Sequence, residues 1–280
     1  MKIVFFTYDM PHRKSQEFIF RLALSKIKLD LVIASPPKRL NIKRSKLKTY
    51  PEYFANVHPR EICEFFNIPY LVRDHNDTST VELLREIEPD IGIIGGARIL
   101  SSEVIDSFNM GIINFHPGLI PENRGLDTIV WAVYRNIPQG MTVHFIDKNI
   151  DSGKIISKYI APIYKEDTLI DIGVRLLELE YKMLVPEILK ILNSKTDIKT
   201  FTIKNPPGKN RAGLPEVDEY VIKNFEDYKR RWAYDLNGHL CYYCSTKLEL
   251  IDNSGNLLCP KCGKEFSLLE NNVILEKIIQ

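Results

Sequence analysis

The chain has 280 residues, 44% hydrophobic and 26% charged. That length suits one large domain or a domain with an appendage, and the composition excludes global disorder. The formal net charge of +2 is too small to argue for a nucleic-acid or membrane-surface partner. No apolar run reaches bilayer-spanning length, and Met1–Phe6 lacks the basic and small-residue flanks of a signal peptide. A cytoplasmic protein is therefore expected.

In chain order, Lys2–Thr7 (KIVFFT) has no polar alternation, as expected for a strand covered on both faces. Ser15–Ile27 has helical periodicity through Phe18, Leu22 and Leu24, and Leu29–Ala34 is a second strand. The segment 36–48 (PPKRLNIKRSKLK) is basic and reads either as an exposed loop or as a patch for an anionic part of a substrate. Glu61–Phe66 is helical and Pro69–Val72 a short strand. Thr78 or Ser79 is expected to cap a helix running to Glu88, where Pro89 follows. Asp90–Ile94 and Gly111–Phe115 are again strand-like, as are Thr142–Ile146 and Lys154–Ile160. A long helix is expected over Asp167–Leu192, kinked or broken at Pro186. Asn205–Leu214 reads as a linker and Val217–Trp232 as a short helix. Strands alternating with helices predict an α/β fold with a doubly wound, mostly parallel sheet. Ligands in such sheets bind beyond the carboxyl ends of strands, here Gly95–Leu100 and Asn114–Gly118.

The segment Asn114–Ile156 carries the chemistry. It opens NFHPGLIPENRG and closes GMTVHFIDKNIDSGKII. Asn114 and His116 are two apart on a strand end, so their side chains share a face. Pro117, Gly118 and Pro121 turn the chain sharply, and Asp151 sits in a polar IDSG turn. An asparagine amide can donate without titrating. A histidine with a reference pKa of roughly 6.5 can donate as imidazolium, which a nearby carboxylate favours. Such donors suit an oxyanion developing at a carbonyl under attack.

This pattern resembles the folate-dependent formyltransferase family, which includes glycinamide ribonucleotide, methionyl-tRNA and sugar N-formyltransferases and formyltetrahydrofolate deformylase. The family's N-x-H-P-x-L-x-P run matches Asn114, His116, Pro117, Leu119 and Pro121, and its T-x-H…D-x-G segment matches Thr142, His144, Asp151 and Gly153. The resemblance covers roughly residues 1–195 and implies a formyltransferase-type Rossmann-like fold. It implies that Asn114, His116 and Asp151 are catalytic, with His144 packing behind them. It places Arg98, Ile99 and Leu100 at the folate, with Asp147, the competing carboxylate of the segment, also on the cofactor side. Arg124 and Gly125 resemble the R-G of the transfer-RNA and sugar branches, implying contact with an anionic acceptor, although a surface arginine is an alternative. The implied co-substrate is 10-formyltetrahydrofolate and the implied partner a small-molecule amine. The turn Tyr8–Lys14 lacks the Gly/Ser-rich phosphate loop of the ribonucleotide enzymes. The sugar branch starts similarly and keeps the R-G and the Trp131 region, so that part of the resemblance implies a nucleotide-linked amino sugar; methionyl-tRNA and purine-pathway acceptors stay open.

Cys241-x-x-Cys244 and Cys259-x-x-Cys262, fourteen residues apart, form a metal signal suited to tetrahedral zinc in a structural role, with rubredoxin-type iron as the alternative. The module resembles a zinc ribbon. The fifth cysteine, Cys63, reads as a buried hydrophobe. The expected organisation is a catalytic domain over 1–195, a linker with a short helix over 196–236 and a zinc ribbon over 237–280. The ribbon leaves two function classes open: an enzyme, or an inactive transferase-like module that binds a nucleic acid or protein through the ribbon.

Overall fold

A computed structural model describes residues 1–38, 43–51, 56–148, 153–194, 198–202 and 207–277. The fold is mixed α/β around a central, mostly parallel sheet. Five parallel strands form its first half: β1 (Ile3–Tyr8), β2 (Leu31–Ser35), β3 (Tyr70–Val72), β4 (Ile91–Ile94) and β5 (Gly111–His116), in the order β3-β2-β1-β4-β5. β6 (Gly140–Phe145) and β7 (Ile155–Ile160) continue the sheet antiparallel. The uninterrupted apolar run of β1 has a direct cause: both faces of the strand are covered. Ile3 and Phe5 enter one core with Phe18, Phe115 and Leu176, while Val4 and Phe6 enter a second with Leu84, Val104 and Ile112. Each fully buried phenylalanine contributes about 1.5–3 kcal/mol.

The first core is roofed by α1 (Arg13–Leu24), α2 (Pro59–Phe65), α5 (Thr128–Tyr134) and α6 (Leu169–Ser194). The second lies under α3 (Thr78–Ile87) and the short α4 (Ser102–Ile105). α3 is capped one residue earlier than the sequence suggested: the Asp77 carboxylate accepts from the Ser79 amide at 2.9 Å. α6 runs continuously over Leu169–Ser194 with Pro186 inside it, rather than breaking there. Its length is sustained by a buried stripe through Ile172, Leu176, Leu184, Ile188 and Ile191, which outweighs the lost backbone bond.

The helix expected within 196–236 is present, and the segment is tied to the domain ahead of it in two places. Residues 215–232 form an eighteen-residue helix, α7 (Pro215–Trp232), whose Val217, Val221, Tyr228 and Trp232 belong to the first core. Ahead of it, the Asn210 amide nitrogen donates to the Arg124 carbonyl at 2.7 Å, and the Trp131 indole donates to the Arg211 carbonyl at 3.0 Å. Polar composition disguised a segment held by its backbone groups.

After the short α8 (Tyr234–Asn237), the C-terminal strands β8 (Glu249–Leu250), β9 (Asn256–Leu258), β10 (Glu265–Leu268) and β11 (Ile274–Glu276) form antiparallel pairs. β11 also pairs with β7, through Ile274 with Ile160 and Leu275 with Tyr159. One eleven-stranded sheet results. Sheet continuity covers the β7 edge, which would otherwise expose unpaired backbone groups. No described helix is long and apolar enough to cross a membrane.

Candidate active site

β5 ends at His116, and its alternation sets the site. Phe115 faces the core, edge-on to Phe18 at 5.3 Å between ring centroids. Asn114 and His116 face the other way. Across the strand pair, Asn114 lies opposite His144 and His116 opposite Thr142. The Nε2 of His116 lies 2.8 Å from the Asn123 carbonyl oxygen. A carbonyl only accepts, so Nε2 carries the proton, and Nδ1 is the position whose protonation sets the charge of the ring. By the same logic His144 Nδ1, 3.0 Å from the Phe145 carbonyl, donates, leaving Nε2 to accept from Asn114 Nδ2 at 3.3 Å. The fully buried His144 thus aims the Asn114 amide. The His116 and His144 rings stand perpendicular, 6.4 Å apart.

The turn after His116 is fixed from several directions. The Gly118 amide donates to the His116 carbonyl at 2.8 Å, and the Asn123 amide to the Leu119 carbonyl at 2.8 Å. Thr142 Oγ1 donates to the Gly118 carbonyl at 2.7 Å and accepts from the Ile120 amide at 3.0 Å. Asn123 Nδ2 reaches the Thr128 carbonyl at 2.8 Å. A methyl at Gly118 would lie 2.5 Å from the Asn123 carbonyl oxygen and 2.9 Å from His116 Nε2, so the close packing excludes a side chain there.

Two charged groups beneath His116 were not singled out from the sequence. Lys14 Nζ donates to the Phe115 carbonyl at 2.6 Å and pairs with Glu180 Oε1 at 3.2 Å. Burial pushes the Glu180 carboxyl up, opposed by the charges of Lys14 and His116. The available signal was position: Glu180 and Glu187 both interrupt the buried stripe of α6. Glu187 accepts from Ser157 Oγ at 2.8 Å and Tyr159 Oη at 2.5 Å, a bond set that explains its burial.

The remaining sequence candidates fall as follows. Arg98 pairs with Asp74 at 3.1 Å and donates to the Pro36 carbonyl at 2.9 Å. Asn76 grips the next turn, donating to the Ile99 carbonyl at 2.9 Å and accepting from the Ser101 amide at 2.8 Å. Ile99 is exposed and Leu100 buried in the second core. Asp147 lines a cavity of about 520 Å³ with Gly111, Phe145, Gly153 and Lys154, toward the Gly111 end of β5. Arg124 is buried rather than on the surface, and its Nη1 donates to the Pro207 carbonyl at 2.9 Å. Gly125, at φ +91°, bridges to Asn210. Asp151 lies outside the described residues.

Residues 1–188 match the model of the formyl transferase family. The chain belongs to that family. A methionyl-tRNA formyltransferase of Chlorobium chlorochromatii is 27% identical over 159 residues, which is 56% of this chain and 46% of that protein. A phosphoribosylglycinamide formyltransferase of Bacillus subtilis is 32% identical over 142 residues, covering 47% of this chain and 72% of that one. The chain spans about half the length of the methionyl-tRNA relatives it matches. A sugar N-formyltransferase from a Shewanella species aligns over 100% of both chains with a TM-score of 0.54 at 17% identity, a likeness of fold.

Beyond the family-matched region, the formyl transferase chain brings four cysteines together. The Sγ atoms of Cys241, Cys244, Cys259 and Cys262 all lie within 4.8 Å of one another. Cys241 and Cys262 are 3.6 Å apart and Cys244 and Cys259 3.4 Å. Tetrahedral zinc with bonds of about 2.3 Å needs sulfurs about 3.8 Å apart, so the donor set fits such an ion. Each pair sits on an equivalent turn: the Ser245 amide donates to the Cys241 carbonyl at 2.8 Å, and the Gly263 amide to the Cys259 carbonyl at 2.9 Å. Ser245 and Gly263, each just past a cysteine pair, have φ of 56° and 70°. Hydrogen bonds from Thr246 hold the Cys244 thiol down at about 6, whereas burial pushes the Cys241 and Cys262 thiols up. Cys63 is buried, and that burial pushes its thiol up to about 12.

Proposed function

We propose that the chain transfers a formyl group from 10-formyltetrahydrofolate to an amine. The observation that carries this reading is the pair of oriented donors at the end of β5: Asn114, aimed by His144, and His116, held through Nε2 by the Asn123 carbonyl. The amine nitrogen attacks the formyl carbon and forms the new C–N bond. Charge develops on the formyl oxygen, where the Asn114 amide and the protonated His116 ring donate, each worth a few kcal/mol in the transition state. Collapse breaks the bond from the formyl carbon to the folate nitrogen, and that nitrogen takes up the proton the amine releases. Asp151 is assigned to carrying this proton on its place in the D-x-G pattern alone. Lys14 and Glu180 hold the strand end beneath the reacting centre.

A nucleotide-linked amino sugar is our reading of the acceptor. It is supported by the turn after β1. Where a ribonucleotide enzyme keeps glycines for a phosphate, Tyr8 and His12 fill the space against Gly96, so close that a methyl at Gly96 would lie 2.9 Å from the tyrosine ring. Arg124, bonded to the Pro207 carbonyl, is read as fixing the 207–210 segment against the turn after His116 rather than as an anion ligand. The methionyl-tRNA and phosphoribosylglycinamide relatives make aminoacyl-tRNA and glycinamide ribonucleotide the acceptors to test against it. A panel of these amines with the formyl folate, read by mass gain of one formyl group, decides. Turnover of charged initiator tRNA with no turnover of any amino sugar would reject the sugar reading. We further infer that the four thiolates hold one structural zinc, which closes a module too small to fold well without metal.

A further inference from the structure

The cysteine module does more than append to the sheet: it touches the turn that orients His116. Leu119, three residues past His116, is fully buried in the module's core with Cys241, Tyr242, Cys259, Phe266 and Ile274. The Leu119 carbonyl accepts from the Asn123 amide, and the Asn123 carbonyl accepts from His116 Nε2. Between them, the Glu122 carboxylate accepts from the Tyr242 hydroxyl, while Arg135 donates to the Glu122 carbonyl. Tyr242 sits inside the Cys241-x-x-Cys244 turn, so the backbone that presents its hydroxyl is the backbone the metal ligands shape. Lys158, itself buried beside Glu276, places its Nζ 5.5 Å from the Tyr242 ring centroid. By the described bonds, two steps separate the module's core from the imidazole.

We propose that Tyr242 is a positioning residue for the transfer reaction: by holding Glu122 from within the metal turn, it fixes the Leu119–Asn123 segment and so the ring of His116. Metal occupancy in the cysteine module is thereby coupled to the orientation of His116. The proposal rests on the reading of His116 given above. A charge-assisted hydrogen bond fixes geometry more firmly than packing alone, and small displacements of an oriented group carry large rate costs. The coupling is confined to the segment after His116. Asn114, aimed by His144 within the β5–β6 pair, has no contact with the module among the described bonds.

The test compares wild type with Tyr242→Phe, which keeps the ring and removes the hydroxyl, at equal zinc content. Histidine-selective NMR follows the His116 and His75 rings, assigned through His116→Ala and His75→Gln. In Tyr242→Phe the His116 ring resonances shift and its titration midpoint moves, while His75, on the far side of β1 and bonded to the Ile33 carbonyl at 3.1 Å, stays in place. Removing zinc with a chelator moves the same His116 resonances in the same direction. With an acceptor that wild type formylates, kcat falls about tenfold in Tyr242→Phe, KM for the folate stays within about twofold, and the limb of the pH profile set by His116 moves. Glu122→Gln, which keeps an acceptor for the hydroxyl, restores most of the rate relative to Glu122→Leu. If Tyr242→Phe leaves the His116 resonances and titration at wild-type values, the positioning role is wrong, whether or not an acceptor has been found. If wild type formylates nothing, the reading of the site fails separately.

Discussion

Replacing Gly118 by alanine perturbs His116 without replacing any charged or hydrogen-bonding side chain. The added methyl would sit 2.5 Å from the Asn123 carbonyl oxygen and 2.9 Å from His116 Nε2. Carbon–oxygen contacts relax to about 3.3 Å, so the Asn123 carbonyl must retreat by about 0.8 Å. Taken along its 2.8 Å bond to His116, that retreat stretches the contact to about 3.6 Å, beyond a hydrogen bond. Losing a bond that fixes a charged donor costs about 1–3 kcal/mol in the transition state, which is a fall in kcat of about fivefold to about 150-fold. Overpacking also lowers stability by about 1–3 kcal/mol, so activity is compared at a temperature where both proteins are folded. Gly208→Ala is the control, because nothing lies within 4 Å of the added methyl. The assay is steady-state formyl transfer, with the His116 ring observed by NMR. Gly118→Ala with wild-type kcat and unshifted His116 resonances would refute the reasoning.

Other outcomes follow from the same geometry. His144→Phe keeps the buried ring and removes the acceptor that aims Asn114; kcat should fall roughly tenfold with little change in folate KM, as steady-state kinetics will read. His12 caps α1 by accepting from Ser15, and burial pushes its imidazole down to about 4. Its folded pKa lies below the unfolded value, so its contribution is complete above about pH 6.5 and is lost as pH falls through about 4, up to about 3 kcal/mol. His12→Asn keeps a cap acceptor and should flatten that part of the melting-temperature profile relative to wild type. Elemental analysis should find about one zinc per chain, and Cys259→Ser should lose the metal and the amide protection of β11 against exchange. In Gly173→Ala the added methyl would overlap the Thr49 carbonyl, and denaturant unfolding should show a loss of about 1–3 kcal/mol.

Much of this was legible in the sequence because the physics is local. Strand alternation placed Asn114 and His116 on one face, and the unbroken apolar run of β1 announced a strand covered on both sides. The spacing of the cysteines announced their convergence. What stayed hidden depends on partners distant in the chain. Glu180 is an ordinary helix glutamate until Lys14 approaches from 166 residues away. Arg124 read as a ligand or a surface residue because nothing local reveals its carbonyl partner at Pro207. The 207–214 segment read as a linker because its order comes from backbone groups bonded to Arg124 and Asp127, which composition does not encode. That β11 would join β7 was also invisible, since short strands carry no record of their partner.

The most direct test of formyl transfer at the end of β5 is single-turnover transfer of a labelled formyl group from 10-formyltetrahydrofolate to the acceptor panel, run with wild type and with Asn114→Ala and His116→Ala. The account predicts a formylated amine from wild type and a loss of about a hundredfold or more in the transfer rate for each variant, with each still folded. Transfer by either variant at the wild-type rate would contradict it.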